Sequence, residues 1–281
     1  MRVITEFDPW KSRICTCPRK YSFNPYTGCA HHCIYCYSTY IPDFYRLRQK
    51  KMLLPRLERD LRTLPENALI SMSNSSDPYP PVEKELELTR KAVEMISERN
   101  LRLLVVTKSD TVVRDADILE RTRSAVSVTI TTLSSETASV LEPDAPAPYK
   151  RIKALRKIKN SGIPAILRLD PVIPSINDHE IEKLLEKASF VDHVVSSTLK
   201  LRGDSYRRMI AAFPELKEKL REMYFREGEK LGNSWYMKKE IRKKILQRVA
   251  EKCEELEISY GFCREGLFFK SRSCDGSHLI Q

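Results

Sequence analysis

Residues 24–37 read NPYTGCAHHCIYCY, and the spacing of Cys29, Cys33 and Cys36 within them governs how the rest of the chain is read. Three thiols fall on one short loop, close enough to hold three corners of a single cubane iron-sulfur cluster. Such clusters usually take four cysteine ligands. A triplet therefore leaves one iron free of protein, the open position that catalytic metal sites require. A structural zinc site completed by His31, His32 or a distant cysteine is the competing assignment. Zinc loops usually come as two paired half-sites, however, and a second such pair is missing from the sequence.

Outward from the triplet, short apolar runs rich in β-branched residues recur at Ala68 to Met72, Leu101 to Thr107, Ala125 to Thr131, Pro164 to Leu169 and Val191 to Ser196. Each reads as a buried strand. Helix-length stretches with apolar spacings of three and four lie between them: Glu85 to Arg99, Ala116 to Arg123, Pro148 to Ser161 and Asp178 to Ala188. With Tyr21 to Pro25 as a first strand, six βα units are complete by about residue 212. A full eight-fold barrel typically needs about 250 residues. The expected fold is therefore α/β, a partial (β/α)6 barrel over residues 1–212, followed by a charged, helical extension over 213–281 that ends in a Cys-containing segment. Within that extension Phe213 to Leu256 reads as helical, and Ile258 to Phe262 as a strand leading into Cys263 and Cys274. The strands run into GCAHHCIYCY, SNSSDPYPP, TKSD, TTLSSE, RLDPVIP and SSTLK in turn. In an α/β barrel those positions line one rim, where active sites are built.

The 281 residues carry 49 basic and 38 acidic side chains, a formal charge of +11. That balance favours a polyanionic partner, DNA or RNA. With 31% of residues charged, salt-bridged helix faces account for it equally well. No apolar run reaches the roughly 18 residues of a membrane span, and the opening MRVITEFDPWKSRICTCPRK lacks a secretion signal's apolar core. The expectation is a cytoplasmic protein with no membrane association, whose eight cysteines are metal ligands, reactive thiols or small buried residues before they are disulfides.

The pattern CxxxCxΦC, with Tyr35 as the aromatic before the last cysteine, resembles that of the radical S-adenosylmethionine (SAM) superfamily. The resemblance implies a [4Fe-4S] cluster on Cys29, Cys33 and Cys36, with SAM chelating the open iron through its amino and carboxylate groups. It also implies an external electron donor of the flavodoxin or ferredoxin type, and a 5′-deoxyadenosyl radical that takes hydrogen from a substrate. The stretches SNSSDPYPPVE (73–83), VVTKSDTVVRD (105–115), LEPDAPAPYKR (141–151) and RLDPVIPSIND (168–178) extend it to the branch related to spore photoproduct lyase, called DNA repair photolyase-like. Together these stretches span about two thirds of the chain.

Carried over by position, the loop of Asn74, Ser76 and Asp77 receives the SAM amino group, and Lys108 pairs with its carboxylate. Thr129 and Thr131, or Arg168, bond ribose and carboxylate, and Tyr35 lies near adenine. Each has a plainer reading: an Asp-Pro turn, a surface lysine, strand-forming threonines, core packing of an aromatic ring. The spore lyase uses a cysteine hydrogen donor near its second strand, whereas the matching loop here, SMSNSSDPY, contains none. This weighs against direct repair of a thymine photoproduct, and leaves the tail cysteines or a tyrosine such as Tyr79 as donors.

Cys253, Cys263 and Cys274, clustered after a cysteine-free middle, invite a second iron-sulfur cluster completed by Cys15 or Cys17, with His278 as a further ligand. A hydrogen-donating thiol or isolated small residues are the alternatives. Lys217, Lys219, Arg221 and the 238–244 cluster are positioned to track phosphates, with Tyr206, Tyr224, Trp235 and Tyr236 as stacking surfaces. The expected function is a radical SAM enzyme acting on a nucleic-acid base or sugar. Action on a peptide or protein, a role in cofactor assembly, and a non-catalytic metal-containing nucleic-acid-binding protein are the other readings.

Overall fold

A computed structural model describes residues 2–7 and 14–281. Eight strands form one sheet in chain order: β1 (Ile4–Glu6), β2 (Tyr21–Phe23), β3 (Leu69–Met72), β4 (Arg102–Thr107), β5 (Ser124–Thr129), β6 (Ala165–Val172), β7 (His193–Thr198) and β8 (Ser259–Phe262). Only β1 runs antiparallel, against β2; every later pairing is parallel. β2 to β7 are the six strands of the partial barrel. The tail strand β8 adds to β7 as a seventh parallel member.

All residues of β3, β5 and β7 are buried, as a parallel sheet covered on both faces demands. The outer face packs on helices α1 (Leu53–Leu61), α2 (Leu88–Ser97), α3 (Pro148–Asn160) and α4 (Ile181–Lys187) through residues such as Leu57, Val93, Leu155 and Leu184. Proline opens α3, where its missing N–H costs nothing. The inner face is small: Leu69, Leu104, Ala125, Ile166 and Val195 form a separate cluster that Ile280 closes from the tail.

Two expected helices are shorter than their apolar pattern suggests. Glu87, at φ 51°, separates residues 83–86 from α2, and a 3-10 turn over 110–115 leads into a short helix over 116–119. The tail departs more. After α5 (Gly203–Ala212), which closes the barrel stretch, the tail contains a short helical stretch over 217–226 and α6 (Lys239–Glu255), but a β-hairpin of Glu229–Leu231 with Ser234–Tyr236 interrupts the expected helical run. Its two-residue turn is Gly232-Asn233, with Gly232 at φ 61°, a position where glycine bears no Cβ clash. α6 packs on α4 and β7. No helix among the described residues is long and apolar enough to cross a membrane.

Candidate functional site

The chain ends of the parallel strands surround one cavity of about 250 Å³. The loop after β2 brings Cys29, Cys33, Tyr35 and Cys36. β3 is followed by Ser73 to Asp77, and β4 ends in Thr107 with Lys108 directly after it. Thr129 of β5, Arg168 and Asp170 of β6, Thr198 at the end of β7 with Lys200 just beyond, and Cys263 after β8 complete the wall.

The cysteine loop is held by its backbone. Gly28 takes φ 82°, and a Cβ there would fall 2.5 Å from the Arg46 carbonyl oxygen, so only glycine fits. Cys29 N donates to Phe44 O at 2.8 Å and Cys36 N to Cys33 O at 3.1 Å. From α5, Arg208 donates through Nε to Ile34 O (2.9 Å) and through a terminal nitrogen to Cys36 O (2.7 Å). Burial first of all raises the three thiols above the ordinary cysteine range, Cys29 to about 11. Binding a metal centre there must therefore release protons.

His31 and His32, the ligands of the competing zinc assignment, are engaged elsewhere. His31 Nε2 stands 3.1 Å from Asp77 Oδ2, off the line of a hydrogen bond, and its Nδ1 lies 3.3 Å from Asp144 O. His32 Nδ1 lies 2.6 Å from Asp144 Oδ2. Among the described residues no three Cys, His, Asp or Glu side chains stand at the spacing of a single-ion site.

The side chain of Asp77 is nearly inaccessible and its oxygens are spent on the protein. It accepts from Thr107 Oγ1 (2.7 Å), Lys108 N (2.7 Å) and Tyr79 N (2.9 Å). Burial alone would raise its carboxyl, but the neighbouring His31 ring and these donors outweigh it and hold the group at about 2. Asn74 is likewise occupied, donating to Ser22 Oγ and Ser71 O, and Ser76 Oγ donates to Tyr26 O. These three side chains shape the loop and its backbone. A depressed carboxyl contributes stability above the ordinary aspartate range and loses it as pH falls through the folded value. Asp77→Asn should therefore remove roughly 2 kcal/mol at neutral pH and flatten the acid limb of stability between about pH 4 and 2. Denaturant melts of both apoproteins across that range check this; parallel acid limbs would reject it.

Lys108 is half-buried and faces a network that the sequence did not reveal. Glu142, fully buried, accepts from Tyr35 Oη and from Arg151, and lies 3.9 Å from Lys108 Nζ. Lys108 Nζ also sits 5.7 Å from the Tyr35 ring centre. Across the cavity, Arg168 pairs with Asp170 at 2.9 Å, while its Nε is buried with no hydrogen-bond partner. Asp170 accepts from Ser197 Oγ, which accepts from Lys200, itself paired with Glu265 at 3.2 Å. Lys108 and Arg168 both line the cavity and give it two cationic side chains.

Several expected residues lie elsewhere. Thr131 is buried beyond the end of β5 and off the cavity wall, its carbonyl accepting from Asn177 Nδ2. Tyr79 is buried away from the cavity beside Asp115. Cys253 lies on α6 in the apolar core, fully buried and apart from the other thiols, because its helix turns that face onto the sheet. Cys15, Cys17, Cys263 and Cys274 do line the cavity. His278 instead contacts Ser273 and the His193 ring. Tyr224 and Tyr236 have no exposed surface for stacking, and Tyr206 and Trp235 pack edge-on against Phe225. Arg242 of the basic cluster is buried between Glu265 and Glu229.

The sequence profile of the radical SAM superfamily matches residues 23–188. An uncharacterised protein of Methanocaldococcus jannaschii is 34% identical over 168 residues, 57% of this chain and 63% of that protein. Another, from Acidianus two-tailed virus, is 28% identical over 200 residues, 63% of this chain and 66% of the other. The chain thus spans less than two thirds of either relative. Among solved structures, a spore photoproduct lyase mutant with bound AdoMet and dinucleoside spore photoproduct matches with a TM-score of 0.67, at 18% identity, over 88% of this chain and 77% of that one. Streptococcus suis SuiB bound to its precursor peptide SuiA matches at 0.58, with 12% identity, over 86% and 47%. At these identities the likeness is one of fold. With its cysteine triplet on the rim of a partial barrel and the profile matched over more than half its length, the chain belongs to the radical SAM superfamily, whose enzymes work with a [4Fe-4S] cluster and S-adenosylmethionine.

Proposed function

We propose that the protein is a radical SAM enzyme that takes a hydrogen atom from a nucleic-acid base or sugar, in repair or modification. The observation that carries the reading is the sharing of one cavity by Cys29, Cys33 and Cys36 with Lys108 and the unpartnered Arg168 Nε. When bound, the cluster and SAM supply one-electron cleavage of a sulfonium and with it a hydrogen-atom abstractor. The three cysteines hold the cluster. Lys108 places a positive charge for the SAM carboxylate, and Arg168 and Thr129 donate to carboxylate or ribose oxygens. The loop braced by Asn74, Ser76 and Asp77 receives the amino group, and the Tyr35 ring, fixed by Glu142, lies beside adenine. An external flavodoxin or ferredoxin supplies the electron.

The nucleic-acid substrate is supported by the net charge of +11 and by the likeness of fold to a lyase that holds a dinucleoside photoproduct. A peptide substrate is the second reading, favoured by the likeness to SuiB with its precursor peptide and by the burial of Tyr224 and Tyr236.

Anaerobically reconstituted protein, given SAM and dithionite, should release 5′-deoxyadenosine. Deuterium should pass into it from a deuterated oligonucleotide, whose binding should weaken steeply with salt. Salt-independent binding and no deuterium transfer would move the assignment to a peptide. Lys108→Ala should keep its iron but bind SAM roughly ten- to a hundredfold more weakly, the loss of one charge-assisted hydrogen bond. Unchanged SAM affinity would remove Lys108 from the site.

A further inference from the structure

Four more cysteines enter the cavity from opposite ends of the chain. Cys15 and Cys17 precede β2, Cys263 directly follows β8, Cys274 lies in the tail, and all are free thiols on the cavity wall. Cys17 and Cys274, separated by 257 positions in sequence, have their sulfurs 3.5 Å apart. Cys15 hydrogen-bonds with Cys17, and Cys263 is close enough to interact electrostatically with the other three.

The fold holds this group together deliberately. In the register of the sheet Thr129, Arg168, Val195 and Gly261 form one row across the inner face. At Gly261 a Cβ would fall 2.6 Å from Cys274 Cα, so the missing side chain is what lets the tail cross that face. The buried ion pair Lys20–Asp275 (2.5 Å) ties the segment before β2 to the same stretch of tail. Lys20, Arg168 and Lys200 also line the cavity, each paired with a carboxylate: Asp275, Asp170 and Glu265.

We propose that Cys15, Cys17, Cys263 and Cys274 hold a second [4Fe-4S] cluster, ligated at every iron by the protein. Four thiol donors are the usual complement of such a cluster. A fully ligated cluster has no open iron and does not bind SAM, which separates it from the Cys29, Cys33 and Cys36 site. The proposal stands independently of the substrate assigned above.

Anaerobic reconstitution should yield about eight irons and eight sulfides per chain, and the combined Cys29→Ala, Cys33→Ala and Cys36→Ala variant about four of each. In that variant the electron paramagnetic resonance signal of the reduced cluster should not respond to SAM. The variant lacking Cys15, Cys17, Cys263 and Cys274 should also carry about four irons, with a SAM-responsive signal. Cys253→Ala should keep all of them. A wild type with about four irons and a triple variant with none would overturn the proposal. So would zinc in place of iron, or a SAM-responsive signal in the triple variant. If the quadruple variant fails to fold, the wild-type count and the triple variant still decide. Eight irons without 5′-deoxyadenosine would count against the proposed function while leaving this site in place.

Discussion

Cys33→Ala protein should fold, lose about four irons, and form no 5′-deoxyadenosine from SAM and dithionite. Cys33 is the most buried of the three loop cysteines and lines the cavity together with Tyr35 and Lys108. Its removal leaves Cys29 and Cys36, two ligands where a cubane already runs one short of its usual four. The fold should tolerate the change. Exchanging a thiol for a hydrogen removes one buried atom, a cost of about 1 kcal/mol, and Gly28, Arg208 and the Phe44 carbonyl hold the loop through its backbone. Iron and sulfide analysis, far-ultraviolet circular dichroism and chromatography of the nucleoside product read the three effects separately. Cys253→Ala is the control for loss of a buried thiol as such, since Cys253 lies in the apolar core off the cavity. A Cys33 variant with wild-type iron and turnover would reject the cluster assignment.

The barrel was legible because its strands are local signals. Most are short, largely apolar and buried runs that include β-branched residues, and a helix follows each inside the length a right-handed crossover needs. The tail was less legible for two physical reasons. Lys- and Glu-rich sequence between 213 and 256 has helix propensity throughout, and the hairpin is marked only by Gly232-Asn233, a signal two residues long. The place of β8 beside β7 depends on pairing between residues such as Tyr260 and Val194 that nothing local encodes. The same holds for Ile280, which reaches the inner face of the sheet from the last turn of the chain.

The site divides the same way. The cysteine triplet is a spacing within eight residues and was readable at once, whereas the four remaining cavity thiols are united only by the crossing of the two chain ends. Cys253 looked equivalent to Cys263 and Cys274 in sequence; helix phase alone places it in the core. Arg242 illustrates the opposite error. In a run of six basic and acidic residues it reads as surface charge, yet it is buried because Glu265 and Glu229 converge on it. Glu142 and Arg151 stood in the 141–151 stretch without a role, because the other partners of Glu142, Tyr35 and Lys108, arrive from the loops after β2 and β4.

Glu142→Gln is therefore the substitution outside the cysteines with the largest expected cost. The carboxylate is fully buried and shared by Arg151, Lys108 and the Tyr35 hydroxyl. Burial by itself would raise its pKa; the two cations and the hydroxyl hold it below the ordinary glutamate range. Removing the one negative charge leaves Arg151 and Lys108 facing each other in a desolvated site, and breaking a buried pair in this manner costs about 3–5 kcal/mol. The melting temperature of the apoprotein should fall by on the order of 10 °C. For a depressed carboxyl the contribution is present above the ordinary range and lost on acidification. The gap between wild type and variant should accordingly narrow as pH drops below that range. The exposed i, i+4 pair Arg226–Glu222, its side chains 60% and 47% accessible, gives the contrast. Glu222→Gln should change stability by less than about 0.5 kcal/mol. Equal melting temperatures for the two glutamine variants would show that the Glu142 network does not brace the site. A large loss confined to Glu142→Gln, with weaker SAM binding, would show that Lys108 and Tyr35 keep their places because this carboxylate holds them.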